Sequence, residues 1–348
     1  MPSSRPLDVV IVPDFSGRAS LLFEARTLFF LASWQRVYGN RSAGPQAPRL
    51  QICSIGEPPD SVARLAAAAG AGLECHQPIR EAGLINKLRG LEVRHRGGRL
   101  LLLDVDTLVL RDLAPVVDLE ADLAAAVAGK AQVPEAAWRE IYAAFGIPLP
   151  AERLVSVFTR SGLDTSAIAC RRATLDDESR AMLPYYNSGA VLVTAGCPLA
   201  ETWRGMHERL QAFLATSASW RDHHVLASND QPSFALATVA LQMRGFTFGL
   251  LPETCNARLP HFSGGLLRFD DVMVFHATGF AAELLQPGRA RSDLPDLVDS
   301  YARRWSAAFH ARATSIPSRW RAFRDGRRAT RLLTTLWRTI VHDAWQSG

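Results

Sequence analysis

The sharpest feature of the hydropathy pattern is Arg99-Leu100-Leu101-Leu102-Leu103-Asp104-Val105-Asp106-Thr107-Leu108-Val109-Leu110, where four consecutive leucines run into two aspartates one residue apart. Such a run predicts a buried strand of a parallel sheet, with the aspartates where the strand leaves the core. Two strand–helix units precede it. Asp8 to Pro13 predicts a first strand, followed by a helix carrying Leu21, Leu22, Ala25, Leu28, Phe29 and Ala32 at helical spacing until Gly39-Asn40. Leu50 to Ile55 predicts a second strand with an Ala-rich helix after it, and Glu81 to Arg96 has helical spacing. Farther on, Leu119 to Ala128 suits helix or strand, and Ala136 to Phe145, Leu199 to Leu214 and Gln231 to Met243 predict helices. Gly189 to Val193, Thr247 to Leu251 and Val272 to Phe275 predict strands. This alternation indicates an α/β fold built on a doubly wound, Rossmann-like sheet. Leu149 to Leu183 has little periodicity, and a loop of that length tends to be functional.

Composition narrows the class. Hydrophobic residues make up 48% and charged residues 21% of 348 residues, ordinary for a globular protein. No uninterrupted run approaches the roughly 20 apolar residues of a membrane span. Five scattered cysteines without Cys-x-x-Cys spacing suggest reduced thiols and a cytoplasmic location. The net charge of +5 comes from the end of the chain: ten arginines against Asp325 and Asp343 lie beyond Ala302, and the rest carries a slight acidic excess. No nucleic-acid partner is indicated.

Paired carboxylates at a strand terminus are hard oxygen ligands at the rim of a pocket, suited to Mg²⁺ or Mn²⁺. The competing reading is ordinary turn chemistry, in which aspartate caps the chain reversal.

Taken with further segments, the motif resembles those of the GT-A-fold nucleotide-sugar glycosyltransferases, nearest to the glycogenin and bacterial lipooligosaccharide galactosyltransferase type. The carrying residues are Lys87-Leu88, the strand with Asp104-Val105-Asp106, Tyr185-Tyr186-Asn187-Ser188-Gly189-Ala190-Val191-Leu192-Val193, Asn229-Asp230-Gln231, Leu251-Pro252-Glu253-Thr254-Cys255-Asn256 and Val274-Phe275-His276, in that order. The resemblance implies a mixed, mainly parallel sheet flanked by helices. It also implies metal-dependent transfer of a sugar from a nucleoside-diphosphate donor, expected to be UDP-linked, to an acceptor hydroxyl on a glycan, lipid or protein. It assigns the metal to Asp104, Asp106 and His276, the donor to Asp14, Lys87, Asp104, Asn187 and Gly189, and the sugar's reacting carbon to Asp230 and Gln231. One departure stands out: His276-Ala277-Thr278-Gly279-Phe280 keeps the glycine but lacks the Lys-Pro-Trp that contacts phosphate in the family. Lys130 or an arginine of the middle loop would be the substitute.

Two other classes share parts of this pattern. Strand-Asp-x-Asp also opens the haloacid-dehalogenase-type phosphatases, with Asp270 and Asp271 as later metal carboxylates. That motif wants Thr or Val where this chain has Leu108, and belongs in the first strand. The other alternative is a catalytically inactive GT-A module.

The expected organisation is a transferase domain over residues 1–300 and a basic helical segment over 301–348. In that segment Leu332, Leu333, Leu336, Trp337, Ile340, Val341 and Ala344 form one helical stripe beside arginines. Two surfaces would satisfy the stripe: the anionic inner face of a membrane, or the domain itself.

Overall fold

The computed structural model describes residues 6–345 apart from 40–46, 80–82, 94–97, 129–131, 156–170, 173–180, 259–260, 262–266, 278 and 311–315. Twelve strands occur among them: β1 (Leu7–Ile11), β2 (Arg49–Ile55), β3 (Gly72–His76), β4 (Arg99–Leu103), β5 (Thr107–Val109), β6 (Leu123–Val127), β7 (Leu154–Val155), β8 (Arg171–Arg172), β9 (Ala181–Met182), β10 (Tyr186–Thr194), β11 (Phe248–Leu250) and β12 (Val274–His276). The helices are α1 (Ser20–Tyr38), α2 (Asp60–Ala68), α3 (Glu135–Phe145), α4 (Leu199–Thr216), α5 (His224–Ser228), α6 (Gln231–Met243), α7 (Leu294–His310) and α8 (Ile316–Ile340).

Seven strands form the central sheet in the order β11-β6-β10-β4-β1-β2-β3. Neighbours run parallel except β10, which lies antiparallel between β4 and β6. This is the mixed, mainly parallel sheet expected from the sequence. Strand geometry sends alternate side chains to opposite faces. Leu101 and Leu103 enter the core on the α1 side, while Leu100 and Leu102 enter the core beneath α4 and α6. The four-leucine run is therefore buried on both sides. It is also shorter than the sequence suggested: β4 stops at Leu103, and Thr107–Val109 joins β12 in a separate antiparallel pair. β7, β8 and β9 form a small third sheet from the otherwise undescribed middle segment.

Other boundaries moved as well. Within Leu119 to Ala128 the stretch Leu123–Val127 is strand, because β6 is covered on both faces and its alanines leave room for that. The predicted helix at Glu81 to Arg96 is a 3₁₀ helix over Leu84–Leu91. A Cβ at Gly90 would meet Val12, Leu102 and Val10 side chains within about 3 Å, so this tight helix lies almost directly on the sheet.

The apolar stripe at the end of the chain faces the domain. Leu332, Leu333, Leu336, Ile340 and Ala344 are buried in the core shared with α1, and Trp337 stacks on Phe29 at 6.4 Å. Arg64 Nη2 donates to the Ala344 carbonyl at 2.5 Å, fastening the final π-helical turn, Val341–Trp345, to α2. An insertion of this apolar face into a membrane would undo the core. Among the described residues no helix is long and apolar enough to cross a membrane. Truncating fully buried Leu336 to alanine should lower the unfolding free energy by about 2–5 kcal/mol, read from urea denaturation.

Candidate active site

The three-residue link Asp104-Val105-Asp106 carries the chain from the large sheet to the small one. Thr107 closes it, its backbone N–H (3.1 Å) and hydroxyl (2.7 Å) both donating to the Asp104 carbonyl. Val105 is buried in the α1-side core, which leaves the flanking carboxylates to the other side of the turn. The antiparallel register sets Ala190 opposite Leu103, so Asn187-Ser188-Gly189 runs past the end of β4 and the Gly189 carbonyl accepts from Asp104 N–H at 2.9 Å. β10 shifts register against β6 between Asn187 and Val191, a bulge of the kind that re-aims side chains at a site. In the small sheet His276 pairs with Thr107, and Ala277 N–H donates to the Asp106 carbonyl at 2.8 Å.

The result is a cluster in which Asp104, Asp106 and His276 each offer one atom within 4.8 Å of the others. His276 Nε2 lies 3.2 Å from Asp106 Oδ1 and 3.9 Å from Asp104 Oδ2. Each residue is also held from behind. Lys87 Nζ is 2.8 Å from Asp104 Oδ1, Arg26 Nη1 is 3.6 Å from Asp106 Oδ2, and Asn256 Oδ1 is 2.9 Å from His276 Nδ1. An amide oxygen only accepts, so Asn256 keeps the imidazole proton on Nδ1 and turns the Nε2 lone pair toward the two carboxylates. Two hard oxygens and an imidazole nitrogen converging in this way suit Mn²⁺ or Mg²⁺. Gly189 leaves the space open: a Cβ there would lie 2.5 Å from His276 Cε1 and 2.7 Å from Asp104 Oδ2.

Charge shapes the cluster further. Burial pushes Asp104 above the usual carboxylate range, against the pull of Lys87 and His276. Burial acts the same way on Asp106, but His276, Arg26 and Lys87 outweigh it and hold this carboxyl below its ordinary value. Lys87 would lose its proton more easily through burial, yet Asp104 and Asp230 together raise it above the ordinary lysine value.

Lys87 reaches Asp230 Oδ2 at 2.8 Å, and the Ser188 hydroxyl donates to the same oxygen at 2.9 Å. Asp230 begins α6, but its side chain makes no capping bond; Asn229 Oδ1 accepts from Gln231 N–H instead. The carboxylate is thus turned from helix capping toward the cluster. Gln231 follows with its Oε1 buried and, among the described residues, without a hydrogen-bond partner. Asn187 sits beside Gly189 and accepts from its N–H at 2.7 Å.

Asp14 stands apart from this ion-paired group. It follows β1, accepts from Ser16 N–H at 3.1 Å, and accepts from Asn86 Nδ2 at 2.8 Å, next to Lys87 in the chain. Asp270, a carboxylate required by the phosphatase reading, is engaged by Arg111 and Arg328. Lys130 and most of the middle loop lie outside the described residues. Sequence reasoning missed Arg26, Asn86 and the orienting role of Asn256. Asn256 lies in a quoted motif, whereas nothing in α1 marks Arg26 as more than a polar position on a helix.

Residues 81–238 match the family model of the Rhodobacterales glycosyltransferase domain. The matched segment carries Lys87, Asp104, Asp106, Asn187, Gly189, Asp230 and Gln231, and ends before His276. No curated protein matches the chain. Among solved structures, galactosyltransferase LgtC in complex with donor and acceptor sugar analogues aligns at 16% identity and a TM-score of 0.44, covering 91% of this chain and 99% of its own. An active-site mutant of LgtC gives 16% identity and 0.47 over the same shares. The apo form of mouse xyloside xylosyltransferase 1 gives 11% identity and 0.45, covering 78% of this chain and 98% of its own.

Because any side chain at Gly189 intrudes on the buried cluster, Gly189→Ala should keep the circular-dichroism spectrum while lowering the melting temperature by a few degrees. Mn²⁺ affinity should fall by about tenfold or more, followed by electron paramagnetic resonance.

Proposed function

We propose that this chain, residues 81–238 of which match a glycosyltransferase domain, is a transferase of GT-A type that moves a sugar from a nucleoside-diphosphate donor to an acceptor hydroxyl with the help of a divalent cation. The observation that carries the reading is the convergence of Asp104, Asp106 and His276 beside the buried Lys87–Asp230 pair. Asp104, Asp106 and His276 would hold Mn²⁺ or Mg²⁺, which supplies Lewis-acid stabilisation of charge on a departing diphosphate. Lys87 adds a protein cation on the same side and cannot drift away, being held between two carboxylates. Asp230 and Gln231 open α6 against the cluster. The orphaned Gln231 Oε1 is an acceptor awaiting a donor, a role that a sugar hydroxyl fills. Asn187 and Gly189 border the same space and would orient the sugar, while Asp14, beyond β1, would meet the ribose or base. A UDP-linked donor is the reading retained.

The acceptor class remains a glycan, lipid-linked saccharide or protein. A cytoplasmic enzyme working at an anionic membrane surface is compatible with the docked C-terminal helix, through its outward face rather than its apolar stripe. That face exposes Arg324, Arg327, Arg331 and Arg338, and arginines near an anionic surface contribute about 1 kcal/mol each. The phosphatase alternative is disfavoured by Asp270, already engaged by two arginines. An inactive module would have no chemical need to bury a lysine between two carboxylates beside a third.

A panel of nucleotide sugars tested for Mn²⁺-dependent hydrolysis and transfer checks this reading. Asp106→Asn should abolish turnover and Mn²⁺-dependent nucleotide binding while the fold persists; normal activity, or activity indifferent to chelator, would sink the metal assignment. Gln231→Ala and Asn187→Ala should lower kcat by about 10–100-fold and leave UDP affinity within a few-fold, since they face the sugar. Full-length protein should co-sediment with anionic liposomes at low salt and release as salt rises.

A further inference from the structure

His261 is a fully buried histidine outside the ion-paired group, and its two ring nitrogens serve the two ends of one short turn. Nδ1 accepts from Arg258 N–H at 2.8 Å. A ring nitrogen that accepts carries no proton, so the proton of the neutral imidazole sits on Nε2. Nε2 lies 2.6 Å from Glu253 Oε2 and donates to a carboxylate whose side chain is only 5% exposed. The backbone adds a second tie, His261 N–H donating to the Arg258 carbonyl at 2.9 Å. One residue thus joins positions 253 and 258.

Asn256 lies between those ends. The segment opens with a single 3₁₀ turn, Glu253–Cys255, and Asn256 N–H donates to the Glu253 carbonyl at 3.2 Å. Asn256 itself is neither helical nor extended (φ −152°, ψ 45°), so the direction of its side chain is set from both flanks. Beyond it the chain joins β12: Ala257 N–H donates to the Val274 carbonyl at 3.0 Å, and His276 N–H donates to the Ala257 carbonyl at 2.7 Å. These backbone bonds fix the level of the turn against β12, but they do not aim the Asn256 amide. That amide, wholly buried, meets His276 Nδ1 at 2.9 Å. The path from His261 to the cluster therefore runs through the turn and Asn256, without His261 touching a candidate ligand in the contacts above.

Resting on the metal reading above, we propose that His261 is a positioning residue: by clasping Glu253 and Arg258 it aims Asn256, and through Asn256 it presents Nε2 of His276 to the cation. Groups that orient a metal-bound imidazole from behind change metal affinity by about 10–100-fold, although they never touch the metal.

The test follows Mn²⁺ bound to the full-length protein, taking affinity from continuous-wave electron paramagnetic resonance and nitrogen coordination from the nitrogen modulation of pulsed spectra. The wild type should show a coordinated nitrogen that His276→Ala lacks. His261→Leu fills the space of the ring but removes both of its bonds; Mn²⁺ affinity should fall by about tenfold and the nitrogen signal should be lost. His261→Gln keeps a donor near the Nε2 position and should keep the signal. Removing one partner of a buried pair is far more destabilising than replacing both with apolar groups. The double variant His261→Leu/Glu253→Leu therefore supplies a folded protein if the single one fails, and should show the same losses. Adding His261→Leu to Asn256→Ala should change Mn²⁺ affinity by less than about twofold, because both act along one path. A folded His261→Leu or double variant with wild-type affinity and nitrogen signal overturns the proposal, as does weaker binding with the signal intact. So does a full additional loss when His261→Leu is combined with Asn256→Ala. In each of those cases His261 serves only the fold, and the metal reading stands. A wild type that binds Mn²⁺ without a coordinated nitrogen removes His276 from the metal site, and this proposal with it.

Discussion

Lys87 is the interaction on which the site depends. Its ammonium lies 2.8 Å from carboxylate oxygens of Asp104, which follows β4, and Asp230, which begins α6. Without it, two largely buried carboxylates near a third would repel one another, and desolvation would cost several kcal/mol per ion. Ser188 joins the same knot through the bulged stretch of β10. A 3₁₀ helix, a strand end, a bulge and a helix start are held in one arrangement by a single charged group. The close seat of that 3₁₀ helix on the sheet at Gly90 fixes where the lysine begins.

Most of the architecture was legible because β4 and its neighbours are buried on both faces, and that burial writes an unbroken apolar run into the sequence. The α6 boundaries, Gln231–Met243, follow from an apolar helix opened by Asp and Pro. Legibility failed where side-chain size replaced hydropathy as the deciding factor. β6 is built of Leu-Ala-Ala-Ala-Val because both of its faces are covered, and alanine carries no strand signature. β3 escaped notice because its exposed edge reads as Leu-Glu-Cys-His, with no apolar alternation.

The site was legible where chemistry requires unusual residues in series, and obscure where it requires ordinary ones in depth. Asp104, Asp106 and His276 come within reach of one another, and Asp230 bonds to Lys87 instead of capping its own helix. Arg26 and Asn256 supply orientation instead of contact. Their importance arises from packing between parts of the chain 80 residues apart, Arg26 and Asp106, and 20 residues apart, Asn256 and His276. Of the residues weighed as replacements for the missing lysine, Lys130, Arg160 and Arg180 lie outside the described residues, while Arg26 meets the segment after His276 through the Phe280 carbonyl.

The docking of α8 on α1 also bears on synthesis. Phe29, stacked on Trp337, belongs to a helix made early, whose apolar surface is covered by a helix made about 300 residues later. During translation α1 therefore emerges with an uncovered face, and the helix that carries Arg26 receives its final packing only when the C-terminal segment has left the ribosome. A nascent chain stalled before Leu332 would expose that face to chaperones and proteases. The seat of Arg26 thus depends on a segment about 300 residues farther along the chain.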